Sequence, residues 1–185
     1  PCETEEKRES NPNIDYGKAQ SLVDLAYKNG VNYFDTAYMY HCGKSEAFIG
    51  CALNKYPRDT YFIADKLPIW LCDTKEDMKL VFDEQLERTG MDYFDFYLFH
   101  SLDNENFEKC EKFDAYDFLK KMQKEGKIKY IGFSFHGTVD DLRNIVSAHK
   151  WDFAQIQMNY LDWENQNAKM QYQILEDAGI PTIVM

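Results

Sequence analysis

The stretch VNYFDTAYMY, residues 31–40, contains the pattern on which the interpretation of the whole chain depends. Its first four residues form a short apolar run typical of a buried strand, and Asp35 follows at the end of that run. Two later runs end in the same way, because YFIADK ends at Lys66 and FDFYLFH ends at His100. An ionisable side chain that is buried without a partner is costly. Three of them at three strand ends therefore predict one shared polar site.

Length and composition predict a single folded domain over residues 1–185. The chain has 185 residues, of which 44% are hydrophobic and 16% aromatic, which is enough material for one core and argues against global disorder. The formal net charge of -11 argues against a nucleic-acid-binding surface, since phosphate neutralisation needs clustered Lys and Arg. No apolar run approaches the roughly 20 residues of a membrane span, and the polar start is unlike a signal peptide. We therefore expect no nucleic-acid partner, no membrane segment and a cytoplasmic location.

The five cysteines form neither a C-x-x-C pair nor a Cys/His zinc spacing. We expect them to be reduced thiols, and we expect no metal site. The chain begins without Met and stops in the middle of an apolar run, so we expect it to be a fragment of a longer protein.

Apolar runs and helical patterns alternate with a period of about 30 residues, the length of one β/α unit. The predicted strands are Val31–Phe34, Thr60–Leu67, Tyr93–His100, Ile128–Ser134, Trp151–Met158 and Pro181–Met185. The predicted helices are Tyr16–Asn29, Ser45–Leu53, one from Thr74 to Gly90, Ala115–Glu125, one from Thr138, and Met170–Ala178, with Pro1–Pro12 and Ser101–Lys112 as loops. This alternation indicates an α/β fold with a parallel sheet.

A doubly wound sheet would suit the alternation equally well, but the first strand-to-helix turn contains no G-x-G-x-x-G and no P-loop. A barrel instead places its working residues at the carboxyl ends of several strands, where Asp35, Lys66 and His100 fall. The predicted fold class is therefore a (β/α)₈ TIM barrel that is incomplete in this chain.

Each of the four candidate residues also has a structural interpretation when it is taken alone. Asp35 could cap a turn, Tyr40 could be a packing residue, Lys66 a solvated lysine and His100 a structural histidine. Their order at consecutive strand ends favours a site. A tyrosine phenol, which ordinarily ionises near pH 10, works as an acid at neutral pH when an ammonium stabilises its phenolate, and a carboxylate keeps that ammonium charged. A histidine across the pocket can orient a carbonyl. The arrangement suits carbonyl reduction.

On these residues the chain resembles the aldo-keto reductase family. The resemblance covers nearly all of the chain and rests on four motifs: Phe34-Asp35-Thr-Ala with Tyr40 five residues after the Asp, Gly43-Lys-Ser-Glu46 with Ile49-Gly50, Ala64-Asp65-Lys66-Leu67, and Asp95-Phe-Tyr-Leu-Phe-His100. It implies that Asp35, Tyr40, Lys66 and His100 form the catalytic tetrad of an NAD(P)H-dependent reductase of small carbonyl compounds, with Tyr40 as the general acid.

The resemblance also implies contacts to the nicotinamide carboxamide. Ser134 matches the family's Ser-Asn pair at a strand end, although Phe135 replaces the Asn, and Gln155 matches the glutamine on the next strand. Gln157 has the same strand parity as Gln155 and is an alternative contact. The implied cofactor is NADP(H). NAD(H) stays open as the alternative, because the residues that would bind the adenosine phosphate are expected beyond this chain.

Two alternative functions stay open, and so does the presence of a further domain. A Schiff-base barrel enzyme would use Lys66 as its nucleophile, but Asp35 and Tyr40 would give that lysine partners. A nicotinamide-binding regulatory module would keep the site and turn over slowly, as the potassium-channel β subunits of the family do. The run Phe135-His136-Gly137 also resembles family branches that carry a carboxyl-terminal iron-sulfur domain. The oligomeric state is not indicated.

Overall fold

The computed structural model describes residues 14–165 and 167–185. The strands are β1 (Tyr33–Asp35), β2 (Phe62–Leu67), β3 (Phe94–Leu102), β4 (Ile128–Phe135), β5 (Phe153–Ile156) and β6 (Thr182–Val184). The helices are α1 (Tyr16–Lys28), α2 (Ser45–Leu53), α3 (Lys75–Thr89), α4 (Asn104–Lys112), α5 (Ala115–Lys124), α6 (Val139–Ala148), α7 (Asp162–Asn165) and α8 (Ala168–Asp177). Single turns of 3₁₀ helix lie at Arg58–Thr60 and Ile69–Leu71.

The strands form one parallel sheet in the order β1-β2-β3-β4-β5-β6. The sheet curls, because the Gln155 amide on β5 reaches across the interior and donates to the Asp35 carboxylate on β1 at 2.8 Å, although three strands separate the two in the sheet. The prediction of an incomplete (β/α)₈ barrel is thus confirmed: the described strands make a half-barrel with helices outside it.

Alternation along the strands divides the side chains between the two faces of the sheet. The outward set, which includes Ile63, Tyr97 and Phe133, packs against the helices in the larger core cluster. The inward set of Tyr33, Ala64, Phe96, Leu98, Phe153 and Ile183 forms a smaller cluster inside the curl. Two further inward rings, Phe62 and Tyr130, are 40% and 47% exposed, because the described strands leave the interior open on one side.

The segment Ser101–Lys112 is not the loop that the sequence predicted. Strand β3 continues to Leu102, and helix α4 follows directly, with the Asp103 carboxylate accepting from the Asn106 backbone N–H at 2.8 Å. Phe107 and Cys110, three residues apart, pack against the core, but two apolar positions in a polar segment are too few to reveal the helical period.

Most other elements lie where they were predicted, with ends that differ by at most two residues. The strand expected over Trp151–Met158 spans only Phe153–Ile156, and the short helix α7 was not predicted. The helix start at Thr74 is confirmed, since the Asp77 side chain accepts from the Thr74 backbone N–H at 2.7 Å in a capping box. The loop expected over Pro1–Pro12 lies outside the described residues.

The contact between α2 and α3 depends on Gly50. A Cβ atom at this position would lie 2.0 Å from the backbone oxygen of Thr89, so alanine would force the two helices apart. We expect Gly50→Ala to destabilise the protein by about 1–3 kcal/mol, the usual cost of overpacking. The measurement is the urea unfolding midpoint of the protein that carries this chain.

Gly17 provides the matched control for that substitution. Its added Cβ would meet only an Asp15 carboxylate oxygen at 3.6 Å, which is an ordinary contact, and alanine favours the helix. We expect Gly17→Ala to leave the midpoint unchanged or to raise it slightly. Equal midpoints for the two variants would show that the α2–α3 contact is not tight.

Candidate active site

Four side chains meet at the carboxyl end of the half-barrel. Asp35 ends β1, Lys66 lies near the end of β2, and His100 lies near the end of β3, while Tyr40 belongs to the loop that follows β1. Because parallel neighbours end at the same edge of the sheet, the three strand residues share one mouth. The structure therefore brings together the four residues that the sequence selected.

Lys66 is the centre of this group. Its side chain is 1% exposed, and its ammonium donates a short hydrogen bond to Asp35 Oδ1, a second bond to the backbone oxygen of Thr36 at 2.9 Å, and a third to Tyr40 Oη at 3.3 Å. Each of the three ammonium protons thus has an acceptor. Because Lys66 donates to the Tyr40 oxygen, the phenol proton remains available for a bound group.

The loop that carries Tyr40 has an unusual backbone. His41, Cys42 and Gly43 have φ angles of 51°, 56° and 77°, so three successive residues lie in the left-handed region that only glycine adopts readily. This turn leads the chain into α2. At the base of the loop, the Thr36 hydroxyl donates to Ser45 Oγ at 2.9 Å, which ties the loop to the first residue of that helix.

A buried polar network lies behind the lysine, on the outer face of the sheet. The two N–H groups of the Gln85 amide on α3 are shared among three oxygens, of Glu46 at 3.0 Å, Asp65 at 2.9 Å and the Lys66 backbone at 3.0 Å, and Tyr97 Oη donates to the Gln85 oxygen. Burial, with the Glu46 carboxylate nearby, raises the pKa of Asp65 well above its usual range. The network holds the β2 backbone at Lys66 between two helices.

This network was missed by the sequence interpretation. The one feature of the sequence that indicates the network is Gln85, a polar residue on the same face of the helix as the buried Met78, Phe82 and Thr89. A buried amide on an apolar stripe needs polar partners, but the helix pattern does not show which strand or helix supplies them.

His100 faces Tyr40 across the mouth, with ring centroids 5.7 Å apart in an edge-to-face arrangement. The Trp70 ring, which the sequence did not single out, also lies near His100, with centroids 5.0 Å apart, and the Trp70 backbone oxygen accepts from Lys109 of α4 at 3.2 Å. Burial, with smaller contributions from the Lys66 ammonium and His136, lowers the pKa of His100 to about 3. The imidazole is therefore neutral at physiological pH, and its Nδ1 has no hydrogen-bond partner within the described residues.

The neutral state of His100 can be tested by NMR. With a pKa of about 3 in the folded protein and 6.5 for an ordinary histidine, its imidazole signals should stay constant between pH 8 and about pH 5. A His100→Asn variant identifies the signal. In the unfolded chain the His100 imidazole binds a proton more readily than in the folded protein. The free energy of unfolding should therefore decrease as pH falls below the ordinary histidine pKa. A titration midpoint near the ordinary value would contradict the burial of the ring.

Ser134 and Gln155, the candidate cofactor contacts, are register partners on β4 and β5. Gln155 is 3% exposed, and its Oε1 is buried without a partner among the described residues. The Ser134 oxygen accepts from the Ser101 backbone N–H at 2.7 Å, which leaves its hydroxyl proton to donate elsewhere. Both side chains lie on the inner face of the curl, beside the four-residue group.

Gln157, the alternative contact, lies beyond the end of β5. Its amide donates to Asp162 at 3.0 Å, and it lines a polar cavity of about 200 Å³ together with Phe135, His136, Gly137 and Gln171. The structure thus places Gln155, and not Gln157, next to Asp35. Phe135 is buried and packs against Phe133 on the outer face.

The described ranges 14–165 and 167–185 contain no cluster of metal ligands, no membrane-spanning helix and no disulfide. No group of three or more His, Cys, Asp or Glu side chains there could hold a metal ion. None of the helices in these ranges has the length and apolar character needed to cross a membrane. Cys42, Cys51, Cys72 and Cys110 are free thiols, and Cys2 lies outside the described residues.

Solved structures share this fold. An aldo-keto reductase structure from Pseudomonas aeruginosa superimposes with a TM-score of 0.75 at 24% identity, over 92% of this chain and 66% of that chain. The holo form of an aldo-keto reductase from Bacillus halodurans also gives a TM-score of 0.75, at 23% identity, over 93% of this chain and 58% of that one.

Sequence comparison agrees with the structural likeness. A probable aldo-keto reductase from Glycine max is 30% identical over 145 residues, which is 74% of this chain and 40% of that protein. The NADH-specific methylglyoxal reductase of Escherichia coli is 28% identical over 177 residues, which is 84% of this chain and 52% of that protein. This chain therefore spans about half the length of such relatives or less. The model of the aldo/keto reductase family matches residues 7–185, and the chain belongs to that family.

Proposed function

We propose that the protein that carries this chain is an NAD(P)H-dependent oxidoreductase that reduces an aldehyde or ketone to an alcohol, with Tyr40 as the general acid. The observation that carries the proposal is the buried Lys66 ammonium, which contacts the Asp35 carboxylate and the Tyr40 phenol together. A phenol beside a buried cation is the arrangement that an acid needs when it must release a proton near neutral pH.

The residues present fit a nicotinamide carboxamide. That group offers an N–H donor and a carbonyl acceptor, and the site offers the unpartnered Gln155 Oε1 and the Ser134 hydroxyl proton. A buried acceptor without a partner is unfavourable, so a ligand that donates to it binds with a net gain. We propose Ser134 and Gln155 as the carboxamide contacts.

A reduced nicotinamide held by Ser134 and Gln155 would supply the hydride that reduces the carbonyl carbon. His100, as a neutral imidazole, donates a hydrogen bond to the carbonyl oxygen and fixes its direction. Tyr40 gives its phenol proton to the same oxygen, so the C=O double bond becomes a CH–OH group. The Lys66 ammonium stabilises the resulting phenolate, and Tyr40, which is 38% exposed, regains its proton from solvent.

Two aromatic rings border the place where the carbonyl would lie. The Tyr40 and Trp70 rings each lie near His100, with centroids 5.7 Å and 5.0 Å from that of the imidazole, so a carbonyl oxygen bound by His100 would lie close to aromatic side chains. A glyoxal reductase of Bacillus subtilis is among the relatives, at 33% identity over 120 residues, which is 63% of this chain and 40% of that protein. We propose small aldehydes and ketones, glyoxal and methylglyoxal among them, as the substrates to test first.

The choice between the two nicotinamide cofactors depends on the adenosine end of the site. We propose NADP(H) as the first cofactor to test and NAD(H) as the alternative. The relatives include proteins named for each cofactor. One is the NADH-specific reductase described above, and the other is a yeast glycerol 2-dehydrogenase named for NADP⁺, which is 25% identical over 174 residues. Separate titrations with NADPH and NADH decide between them.

The structure weakens the Schiff-base alternative. A nucleophilic lysine must be neutral, whereas the Lys66 nitrogen donates to three oxygens, one of them a carboxylate. The regulatory alternative is not affected by this geometry, since a slow module would keep the same site.

Steady-state kinetics on a panel of small aldehydes tests the proposal. We expect NADPH or NADH oxidation with a kcat in the usual enzyme range of about 1 to 10³ s⁻¹. Tight cofactor binding with turnover far below that range on every aldehyde would favour the regulatory module. Borohydride trapping of a substrate adduct on Lys66 would favour the Schiff-base enzyme.

A further inference from the structure

The Gln155 side chain has two ends with different surroundings. Its Nε2 donates to Asp35 Oδ2 at 2.8 Å, whereas its Oε1 is buried with no partner among the described residues. The assignment of the two ends follows from chemistry, because a carboxylate only accepts hydrogen bonds and would repel the amide oxygen. One end therefore contacts the tetrad and the other is open to a ligand.

Asp35 is consequently held at both of its oxygens. Lys66 donates to Oδ1 from the neighbouring strand, and Gln155 donates to Oδ2 from β5 across the barrel interior. The Asp35 side chain is still 26% exposed, so these two bonds, more than burial, fix its orientation. A substitution at Gln155 would therefore change the orientation of Asp35 first, and through Asp35 the position of the Lys66 ammonium.

Hydrogen bonds through one amide group reinforce each other. When the amide oxygen accepts a bond, the amide becomes more polarised and its N–H groups become better donors. An N–H donor arriving at Gln155 Oε1 would therefore strengthen the Gln155–Asp35 bond. The reverse also holds, because coupling between two binding events is reciprocal.

We infer that Gln155 is a positioning residue that couples occupation of the carboxamide site to the orientation of Asp35, and through Asp35 to Lys66. The inference rests on the proposed function, since it takes the ligand at Oε1 to be the primary amide of a nicotinamide. It adds that the ion pair of the tetrad becomes better ordered when the cofactor is bound, and that Asp35 contributes to cofactor affinity through Gln155.

A double-mutant cycle on cofactor binding tests this coupling. The protein that carries this chain is prepared as wild type, Asp35→Asn, Gln155→Met and the double variant, and NADPH and NADH are titrated without substrate. The asparagine in Asp35→Asn would keep its oxygen toward Lys66 and turn its NH₂ group toward Gln155. Either the bond between the two side chains is lost, or the Gln155 amide turns over and presents its NH₂ group, no longer its oxygen, to the ligand. Both results weaken cofactor binding only while Gln155 is present. We expect Asp35→Asn to weaken binding about three- to tenfold when Gln155 is present and less than about twofold in the Gln155→Met background.

Several outcomes overturn the inference in distinguishable ways. If wild type binds a nicotinamide cofactor but Asp35→Asn weakens binding equally in both backgrounds, the coupling is wrong and the proposed function stands. If wild type binds neither cofactor, both are wrong. Gln173→Met is the control, since Gln173 is exposed and its side-chain amide hydrogen-bonds to Glu176 and Asp177 on its own helix. If Gln155→Met fails to fold, Gln155→Asn, whose shorter side chain does not reach Asp35, replaces it.

Discussion

Replacing Tyr40 with phenylalanine should lower kcat for carbonyl reduction by about 10²- to 10⁴-fold, the usual contribution of a general acid. The substitution removes one oxygen and leaves the ring, its edge-to-face contact with His100 and its position near the Lys66 ammonium. The cofactor contacts proposed here lie on β4 and β5, so the Kd for NADPH should change little. Steady-state kinetics at saturating cofactor and substrate give kcat, and titration gives Kd.

Tyr38 supplies the matched control, two residues away on the same loop. Its hydroxyl donates to Glu84 on α3 at 2.7 Å, outside the mouth of the half-barrel. Tyr38→Phe removes the same atom from a similar ring, and kcat should stay close to that of wild type. A Tyr40→Phe variant with wild-type kcat would remove Tyr40 from the acid role.

Replacing Lys66 with methionine should affect both catalysis and stability. The Asp35 carboxylate would lose its cation, and breaking a buried ion pair from one side costs about 3–5 kcal/mol. The lower end of that range applies, because the Asp35 side chain is partly exposed, at 26%. The Tyr40 phenolate would lose its stabilising charge in the same step. We expect kcat to fall by at least about 10²-fold, and the urea midpoint to fall with it.

A second substitution separates these two effects. In Lys66→Met/Asp35→Asn no carboxylate is left without a cation, so part of the stability should return while kcat stays low. Lys79→Met is the surface control, since Lys79 pairs with Asp83 at a half-exposed position and should change stability by less than about 1 kcal/mol. Recovery of kcat in the double variant would show that the lysine acts only on stability.

The sequence was sufficient to predict where the tetrad candidates meet. Asp35, Lys66 and His100 each follow an apolar run, and parallel strands end at one edge, so the spacing along the chain predicts proximity in space. The helix capping at Thr74 was equally local. Both features were predictable because they depend on residues close in sequence or on the regular geometry of parallel strands.

The remaining features depend on how the sheet curls and on which side chains face each other across elements. The Gln155–Asp35 bond joins residues 120 positions apart and exists because β5 curves back over β1. Gln85 reaches Glu46 and Asp65 through the packing of two helices on one strand. No local pattern contains such pairings, because they follow from tertiary geometry and not from a period in the sequence.

Helix α4 and Trp70 were also missed, because neither lies in a segment with a periodic apolar pattern. The helix has only two apolar contacts, so its pattern resembled a polar loop, and the 3₁₀ turn that carries Trp70 has no period to detect. Lys109 of that helix holds the Trp70 backbone beside His100. A segment without a visible pattern thus contributes to the wall of the candidate site.

Isotope transfer is the most direct test of the proposed reduction. The protein that carries this chain is incubated with methylglyoxal and a reduced nicotinamide cofactor that carries deuterium at the transferable position of its ring, and the alcohol is examined by mass spectrometry. We expect one deuterium bound to the former carbonyl carbon of the alcohol, formation of this labelled alcohol slowed about 10²- to 10⁴-fold in Tyr40→Phe, and formation at close to the wild-type rate in Tyr38→Phe. Cofactor binding without any labelled alcohol, from methylglyoxal or the other aldehydes of the panel, would contradict the account.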